Sequence, residues 1–416
     1  MMKKILFITT QFPYPLDNGG KIGAYNGLDS LAEHEIYLLA FSEQMEYVEE
    51  GKKKLCERWP HLHIVEVIKQ DVHIQNKPFV LIKRILQSYF VKEPYMVVKF
   101  QNKEMIKKID EIMQKHTFDA IFVDYLNMYS YGNYIKKRYP DKFKTFILKD
   151  HNIEYEIFKQ TAEKSGLIKK IAITPIWKKT KKYEENAVRD ADIVLSVCDA
   201  NTNYFKKINV NSYTMKPTFD IQEHSGEITH NQKLLFIGNL SWRANLNGLK
   251  WFVYEVLPII KEKIPDVRLS IVGSGNVENP FTGNDLVEWN GFVEDISGIY
   301  KDYRVFVVPL FEGSGIRIKI LEAFNYKIPV VATTLACETI GARNKVELYI
   351  ADKKEEFAKA VETIIADDKE YKRITDNAGA FLKGNFSITA RRNEMNAILL
   401  NSTQRKIVEE EQCEFI

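Results

Sequence analysis

The sequence of 416 residues has few cysteines, no long apolar run and almost no excess of charge of either sign. No two of its four cysteines share a C-x-x-C spacing. Neither a zinc site nor a disulfide framework is therefore predicted, and a reducing compartment is favoured. No stretch approaches the ~20 apolar residues that span a bilayer. Lys and Arg total 59 against 56 for Asp and Glu, a net charge of +3 that is too balanced for a dedicated nucleic-acid-binding protein.

Apolar residues nevertheless make up 45% of the chain and aromatic residues 12%, which excludes a disordered protein. Two lysines precede the apolar run Ile5–Ile8, as in a signal peptide. The run is too short, however, and no small-residue cleavage site follows it, so we interpret it as a first β-strand. We therefore expect a cytoplasmic protein.

Short apolar runs alternate with helical patterns in the first half of the chain, which predicts an α/β domain with a parallel sheet covered on both faces. The predicted strands are Ile5–Thr9, Glu35–Phe41, His63–Val67, Asp119–Val123, Thr145–Leu148 and Asp192–Val197. The predicted helices are Ala24–Glu33, Phe79–Gln87 and Met105–Lys115.

A polar segment without helical periodicity interrupts this alternation, and we interpret 216–232 as a linker between two similar domains. The predicted domains are 1–215 and 233–385, with 386–416 a last helix that returns to the first domain and ends in a frayed tail. The second domain's predicted strands are Leu234–Ile237, Arg268–Val272, Leu286–Trp289, Val305–Val308 and Val330–Ala332. Its predicted helices are Leu246–Lys261, Ile316–Asn325, Glu355–Ile365 and Lys369–Leu382, and Ile388–Leu400 is the last helix. Sites of such folds lie beyond the carboxyl ends of the strands.

Two polar segments of the first half follow apolar strands. Gly19 and Gly20 begin a helix, where backbone N–H groups favour an anion, although an ordinary glycine loop is the alternative. The segment 149–154 (KDHNIE) holds His151 between two residues, Asp150 and Asn152, that are also suited to cap a helix. His151 has no capping role, so it is the predicted functional residue of this segment.

The strongest motif runs from a buried strand through Gly313, Ser314, Gly315 and Ile316 into a helix. Backbone N–H groups at such a turn suit a diphosphate, and Arg317 and Lys319 could add charge-assisted contacts. Glu322, inside the helix, is either a buried structural partner or an acceptor for the two hydroxyls of a ribose. The alternative is an ordinary glycine turn followed by a solvent-facing glutamate.

With this motif the chain resembles glycosyltransferases of the GT-B fold, family 4 in the usual classification, over nearly its whole length. The segments that carry the resemblance are FPYPLDNGG at 12–20, HNIE at 151–154, FIGNLSWRANLNGLKWF at 236–252, RLSIVGSG at 268–275, WNGFVEDI at 289–296 and GSGIRIKILEAFNYKIPVVAT at 313–333. The resemblance implies two Rossmann-like domains facing each other across a cleft. It also implies transfer of a sugar from a UDP- or GDP-linked donor, with retention, to a glycan or lipid-linked acceptor of cell-surface polysaccharide synthesis.

The resemblance also implies roles for individual residues. Glu322 would hold the ribose, Phe292 and Val293 would line the base, Gly19 and Gly20 would face the diphosphate, and His151 would lie near the reacting sugar. Asp150, Asn152 and Lys21 would lie on the acceptor side, because the first domain of such enzymes holds most of the acceptor.

Two departures from the family pattern concern the donor site. Ser314 stands where relatives usually have a glutamate, and Asn239 stands where many have an arginine that a lysine follows. We expect Arg317 and Lys319 to replace this basic pair as the diphosphate clamp, with Arg243 a weaker candidate. Because cationic side chains and helix N-termini would stabilise the leaving phosphate, no metal and no other cofactor is expected.

Three alternatives remain open from the sequence. One is a nucleotide-sugar epimerase of the same fold, and another is a non-catalytic nucleotide-sugar-binding protein. A nicotinamide oxidoreductase would need a G-x-G-x-x-G turn with an acidic residue about 20 positions later, which neither half supplies.

The lysine-rich helix around Lys169–Lys182 is either a solvated face or a peripheral contact with anionic lipid at the inner face of the plasma membrane.

Overall fold

The fold was obtained as a computed structural model of the full chain. The residues that the structure describes are 2–70, 91, 93–163, 166–219, 221, 228–273, 275, 277–293, 298–313 and 317–413. The predicted helix Phe79–Gln87 lies outside them, as do parts of the predicted linker 216–232.

The chain divides into two compact units, the first formed by 1–218 together with 388–416 and the second by 219–387. The first unit contains a seven-stranded parallel sheet in the order β3-β2-β1-β4-β5-β6-β7. Its strands are β1 Lys4–Thr9, β2 Glu35–Ser42, β3 Leu62–Lys69, β4 Phe118–Asp124, β5 Phe143–Asp150, β6 Ile193–Ser196 and β7 Ser212–Thr214.

Helices connect these strands and cover both faces of the sheet. They are α1 Gly19–Ser30, α2 Val48–Arg58, α3 Tyr95–Val98, α4 Lys103–Lys115, α5 Tyr129–Arg138, α6 Glu154–Glu163, α7 Leu167–Asp190 and α8 Asp199–Phe205, with the last helix of the chain, Ile388–Cys413. Short 3₁₀ turns occur at Met45–Tyr47, Leu126–Met128 and Pro140–Lys142.

The apolar runs of the strands are continuous because both faces of the sheet are buried. In β1, Leu6 and Ile8 belong to one hydrophobic cluster, whereas Ile5 and Phe7 belong to the cluster on the opposite face. β1 pairs with both β2 and β4, so the order of the strands reverses beside it. In open α/β sheets such a reversal opens a crevice at the carboxyl ends of the strands.

The second unit repeats this plan with a six-stranded parallel sheet in the order β10-β9-β8-β11-β12-β13. Its strands are β8 Lys233–Ile237, β9 Arg268–Val272, β10 Val287–Gly291, β11 Val305–Val308, β12 Val330–Ala332 and β13 Tyr349–Ile350. Its helices are α9 Arg243–Trp251, α10 Leu257–Lys263, α11 Ile318–Asn325, α12 Thr334–Cys337, α13 Lys354–Ala366 and α14 Asp368–Phe386, with a 3₁₀ turn at Tyr300–Asp302. The last helix of the chain, named above, is α15.

The predicted single helix Leu246–Lys261 is divided into α9, a π-helical segment Phe252–Val256 and α10. Pro258 lies in the first turn of α10 and has no backbone N–H to donate to the preceding turn. The widened segment precedes this proline, as expected where a normal helical hydrogen bond is missing.

The last helix, α15, packs within the first unit. Met395 and Leu399 join the hydrophobic cluster that contains Leu28 of α1. Arg392 donates from Nη2 to Asp29 Oδ1 at 2.9 Å and from Nε to the Asp29 carbonyl oxygen at 3.0 Å. Apolar burial and a charged hydrogen-bonded pair therefore hold the C-terminal segment to α1.

If this packing stabilises the first unit, Met395→Ala should lower the free energy of unfolding by about 2–5 kcal/mol, because Met395 is completely buried. Leu400→Ala on the same helix is the matched control, since Leu400 is 55% exposed and its truncation should cost less than about 0.5 kcal/mol. Urea denaturation measures both, and equal effects of the two substitutions would contradict the packing described for α15.

Candidate functional site

A buried polar cluster lies at the carboxyl ends of β1, β4 and β5. Asp124 ends β4, and its Oδ2 accepts a hydrogen bond from Thr9 Oγ1 of β1 at 2.8 Å. His151, one residue after β5, places Nε2 2.8 Å from Asp124 Oδ1. Lys149 Nζ is 3.3 Å from the same oxygen and donates to the Gly23 carbonyl of α1 at 2.8 Å. Each of the parallel strands β1, β4 and β5 thus contributes a polar side chain to the same cluster.

The charges of this cluster compensate each other. Burial alone would raise the pKa of Asp124, but the charge of Lys149 and the contacts with His151 and Thr9 bring it down to about 2. Burial and the charge of Lys149 lower the pKa of His151, and together they outweigh the opposite effect of Asp124. At neutral pH the cluster therefore holds an ionised Asp124 and a neutral His151.

Tyr125 fixes the plane of the His151 ring. The two rings stack with their centroids 3.8 Å apart and their planes at 7°. The Tyr125 hydroxyl donates to the Gly20 carbonyl oxygen at 3.3 Å, which ties the stack to α1. Tyr125 adopts φ = +79°, an uncommon value for a residue with a side chain. Its backbone N–H donates to the Lys149 carbonyl oxygen at 2.8 Å.

His151 was predicted from the sequence, and Lys149 belongs to the same predicted polar segment but was given no role there. Thr9, Asp124 and Tyr125 were not predicted. A signal was present, since Asp124 is a polar residue directly after the apolar run 120–123, at the end of the strand where sites occur. What the sequence could not supply was the order of the strands, which makes β1, β4 and β5 neighbours.

The glycines at the start of α1 do not leave all their N–H groups open to an anion. Asn18 caps this helix, and its Oδ1 accepts from the Gly20 N–H at 2.9 Å and from the Lys21 N–H at 3.1 Å. Gly19 is the first residue of the helix. Asn18 therefore satisfies two of the donors that the sequence suggested for a diphosphate.

Lys21 lies in the wall of a cavity of about 350 Å³ beside the ends of β1 and β2. Its ammonium donates to Asp17 Oδ2 at 3.0 Å and to Gln44 Oε1 at 2.5 Å, and the residue is only 7% exposed. The other polar residues that line the cavity are Thr10, Gln11, Asn18, Ser42, Glu43 and Gln70. The cavity therefore offers many hydrogen-bonding groups, and its one lysine is paired with Asp17.

Asp150 is fully buried, and within the described residues neither of its carboxyl oxygens has a hydrogen-bond partner of good geometry. Burial and the neighbouring carboxyls of Glu184 and Glu154 raise its pKa well above the ordinary value. The predicted helix cap from this residue is not formed, because Glu184 Oε1 of α7 accepts the Glu154 N–H at 2.6 Å instead. Its burial also does not favour the predicted contact with an acceptor. Asn152, by contrast, is half-buried, with its amide 3.5 Å from Glu154 Oε1.

In the second unit, backbone rather than side chains forms the surface at the strand ends. The Gly238 N–H donates to the Val272 carbonyl oxygen at 3.0 Å, and the Gly273 N–H donates to the Gly291 carbonyl oxygen at 2.8 Å. A Cβ on Gly273 would lie 1.7 Å from the Gly238 carbonyl oxygen, so only glycine fits there. The absence of a side chain at Gly273 thus allows the two backbone segments to approach closely.

Lys319 of α11 reaches this surface from the side. Its Nζ donates to Asn245 Oδ1 at 3.1 Å and lies 4.4 Å from the centroid of the Phe236 ring. A Cβ on Gly238 would be 2.8 Å from the same Nζ, which shows how near the ammonium is to the loop after β8. Burial and the charge of Arg317 lower the pKa of Lys319 to about 7, although Glu322 opposes the shift.

Arg317 comes directly before α11 and is buried. Its guanidinium lies 5.4 Å from the centroid of the Trp242 ring, in a cation–π contact. Gly313, with φ = +104°, packs against the same ring. Ser314, Gly315 and Ile316 were predicted to bind the donor and lie outside the described residues. The helix itself begins at Ile318 and not at Ile316.

Glu322 lies one helical turn after Lys319, on the same side of α11. Tyr300 donates from its hydroxyl to Glu322 Oε2 at 3.2 Å, and the Tyr300 ring stacks on Tyr326 at 4.6 Å. Burial raises the pKa of Glu322. A solvent-facing glutamate is therefore excluded, and one carboxylate oxygen, Oε1, is not used by Tyr300.

The remaining predicted donor residues differ in their exposure and contacts. Phe292, after β10, is 73% exposed, and the half-buried Val293 packs against the hydrophobic core. Asn239 is exposed, and its Oδ1 accepts from the Ser241 N–H at 2.9 Å, so its side chain stabilises the turn after β8. Arg243 is exposed at the first residue of α9.

The described part of the chain contains neither a group of side chains suited to a metal ion nor a helix suited to cross a membrane. In those residues no three or more His, Cys, Asp and Glu side chains are grouped so that they could hold a metal ion. Nor does any helix there combine the length and the apolar character that crossing a membrane requires.

Residues 231–367 match the protein family described as "Glycosyl transferases group 1". An uncharacterized 44.6 kDa protein in the cps region of Klebsiella pneumoniae is 24% identical over 402 residues, which cover 92% of this chain and 97% of that protein.

Solved structures share the fold of the whole chain. HepE of Anabaena, in complex with UDP and glucose, is 14% identical with a TM-score of 0.63, covering 95% of this chain and 99% of that one. Sucrose-phosphate synthase of Thermosynechococcus elongatus is 13% identical with a TM-score of 0.65, covering 97% and 100%. A TarM variant of S. aureus, in complex with fondaparinux, alpha-GlcNAc-glycerol and UDP, is 12% identical with a TM-score of 0.65, covering 96% and 100%.

The chain is therefore a glycosyltransferase with the two-domain GT-B fold, and residues 231–367 are its group 1 glycosyl transferase segment. The predictions of an α/β fold with two Rossmann-like units and of a glycosyltransferase are confirmed.

The buried carboxyls near β5 generate a pH prediction. Burial raises the pKa of Glu184 from 4.5 to about 8. Its contribution to stability is therefore present below about pH 4.5 and is lost as the pH rises towards 8. Glu184→Gln keeps the oxygen that accepts the Glu154 N–H but cannot ionise. It should be more stable than the wild type at pH 8, by at least ~1 kcal/mol, and this advantage should shrink towards pH 5.

Melting temperatures measured between about pH 5 and about pH 8.5 test this prediction. Glu185→Gln, at the adjacent half-buried position of α7, is the matched control and should show no such trend. An advantage of Glu184→Gln that does not change with pH would contradict the assignment of a neutral Glu184.

Proposed function

We propose that the protein transfers a sugar from a UDP- or GDP-linked donor to a hydroxyl of a glycan or lipid-linked acceptor, with retention at the anomeric carbon. The observation that carries the proposal is the position of Lys319. This residue lies on α11, the helix that follows the glycine turn, and its ammonium reaches Asn245 and the loop after β8. Arg317 precedes it and Glu322 follows one turn later, so two cations and a carboxylate belong to one short segment of the second unit.

Lys319 and Arg317 form the diphosphate clamp in this proposal. The loop after β8 contains Asn239 and lacks the arginine and lysine that are common in the family that this chain resembles. The ammonium of Lys319 lies close to that loop. Two cations bind a diphosphate through charge-assisted hydrogen bonds, which are about twice as strong as neutral ones. They also stabilise the negative charge that develops on the leaving phosphate, so we infer that no metal is needed for this step.

Glu322 holds the ribose. Its Oε2 accepts from Tyr300, and Oε1 remains for a sugar hydroxyl, while the stacked Tyr300 and Tyr326 fix the carboxylate. The exposed Phe292 is the surface on which the base packs. HepE and TarM, whose structures contain UDP with a sugar ligand, support a uridine donor among the two classes.

In the reaction, the bond between the anomeric carbon and the β-phosphate oxygen breaks as the acceptor oxygen bonds to the same face of that carbon. The proton of the acceptor hydroxyl passes to the departing phosphate oxygen, so charge and atoms balance without a protein base. The first unit binds the acceptor, and its cavity at Lys21 offers the hydrogen-bonding groups that a hydroxyl-rich molecule needs. The relative from a cps region supports cell-surface polysaccharide synthesis as the setting.

A peripheral membrane contact would bring a lipid-linked acceptor to this cytoplasmic enzyme at the inner face of the membrane. Residues 167–183 contain six lysines and no acidic residue. Leu167 and Ile171 of α7 are 74% and 65% exposed. Exposed apolar side chains next to lysines are typical of helices that lie on anionic lipid.

Lys319 provides the sharpest test of the donor site. Its ammonium must be protonated to bind a diphosphate, and its pKa is about 7, so affinity for a nucleotide sugar should fall as the pH rises through 7. Lys319→Met should weaken binding about 10–100-fold at pH 6.5, the value expected for a lost hydrogen bond between charged groups, and should abolish the pH dependence.

Calorimetric titration with UDP- and GDP-linked sugars measures these affinities, because their diphosphate does not itself titrate in this range. Lys250→Met, an exposed lysine of α9, is the matched control and should bind as the wild type does. Wild-type affinity in Lys319→Met would refute the clamp. Turnover of the donor without any acceptor product would instead favour an epimerase.

The membrane proposal has its own test. Co-sedimentation with vesicles containing anionic lipid should fall at least fivefold in Ile171→Glu, whereas Val210→Glu, at an 80% exposed position elsewhere in the same unit, should bind as the wild type does. Equal sedimentation of the three proteins would exclude α7 as the contact.

A further inference from the structure

The proposed reaction assigns no role to the His151 imidazole. The two nitrogens of its ring have different contacts. Nε2 lies 2.8 Å from Asp124 Oδ1. Thr9 donates to the other oxygen of that carboxylate, and Lys149 approaches Oδ1 at 3.3 Å. Asp124 is completely buried among these three groups.

An ionised carboxylate can only accept hydrogen bonds. The hydrogen between Nε2 and Oδ1 therefore belongs to Nε2, whether or not the ring carries a charge. The burial of His151 and the charge of Lys149 keep the ring neutral at neutral pH by lowering its pKa. A neutral imidazole with hydrogen on Nε2 has a lone pair on Nδ1.

Nδ1 is left available to a ligand. It has no hydrogen-bond partner in the part of the chain that the structure describes, while 11% of the side chain remains exposed. The edge of the ring that carries Nδ1 lies against α1. A Cβ on Gly23 of this helix would be 2.6 Å from Cε1 and 3.1 Å from Nδ1. The stacked Tyr125 prevents rotation of the ring.

We propose that Asp124 is a positioning residue that holds His151 in the Nε2–H tautomer, so that Nδ1 accepts a hydrogen bond from a sugar hydroxyl. The identity of the ligand rests on the proposed function, whereas the tautomer does not. His151 then orients a sugar and transfers no proton, in agreement with a reaction in which the leaving phosphate takes the proton. Lys149 secures this arrangement, because it keeps Asp124 ionised.

Nitrogen-15 NMR of the full chain labelled at histidine reads the tautomer directly, since protonated and unprotonated ring nitrogens have well-separated shifts. His151→Asn identifies the signals of His151 by their loss. We expect a protonated Nε2 and an unprotonated Nδ1 at about pH 8, where the ring is neutral. A protonated Nδ1 at this pH, or a mixture of the two tautomers, would overturn the proposal.

Gly23→Ala tests the geometry, because its Cβ must displace the ring from Asp124. We expect the single tautomer to be replaced by a mixture of the two tautomers, while thermal unfolding remains cooperative. Gly379→Ala, where a Cβ meets nothing within 4 Å, is the matched control and should leave the His151 signals unchanged. An unchanged His151 spectrum in Gly23→Ala would contradict the described contact.

A pair of substitutions tests the role of Nδ1. The side-chain amide of asparagine reaches the position of Nδ1, whereas that of glutamine reaches the position of Nε2. If Nδ1 is the atom that contacts substrate, His151→Asn should keep at least tenfold more kcat/KM than His151→Gln. The reverse order would refute the proposal. A wild-type chain that binds no nucleotide sugar would refute the proposed function alone, since the NMR result does not depend on turnover.

Discussion

Parallel strand pairing is the constraint on which every candidate residue of this molecule depends. Hydrogen bonding of β1 with β2 and β4, and of β8 with β9 and β11, brings the carboxyl ends of neighbouring strands to one edge of each sheet. The two edges are built differently. In the first unit, Thr9, Asp124 and His151 meet there as side chains, whereas in the second unit Gly238 and Gly273 meet as bare backbone.

This difference has a physical consequence for what each edge can bind. The side-chain edge is a closed network in which Lys149 balances Asp124, so it presents neutral acceptors to a ligand and suits sugar hydroxyls. The backbone edge is narrow and is approached by the cations of the following helix segment, so it suits a diphosphate. The lysine with a pKa of about 7 belongs to that second edge. Without a ligand, this lysine is only partly protonated at neutral pH, and it takes up a proton when the diphosphate binds.

The strands were predictable from sequence because burial on both faces makes their apolar runs continuous. β9, β11 and β12 begin and end at the predicted residues. The short edge strands β7 and β13 were not predicted, since three and two residues carry no periodicity. α1 begins at Gly19, where the glycine motif indicated a helix start, and five residues before the apolar pattern begins at Ala24, because Asn18 caps its first turn.

The candidate site was only partly predictable. Glu322, Lys319 and Arg317 were found because a glycine turn that enters a helix has a local signature. Asp124 was missed and Lys149 was given no role, because their partners Thr9 and Gly23 lie more than 100 residues away from them in the chain. Asp150 was placed on the acceptor side by position alone, and its complete burial is a property that only the packing of α6 and α7 reveals.

The most direct measurement is a crystal structure of the full chain with the nucleotide sugar that it binds most tightly. We expect a diphosphate oxygen within about 3 Å of Lys319 Nζ, with the ribose hydroxyls on Glu322. A diphosphate bound elsewhere, with Lys319 still donating only to Asn245, would contradict it.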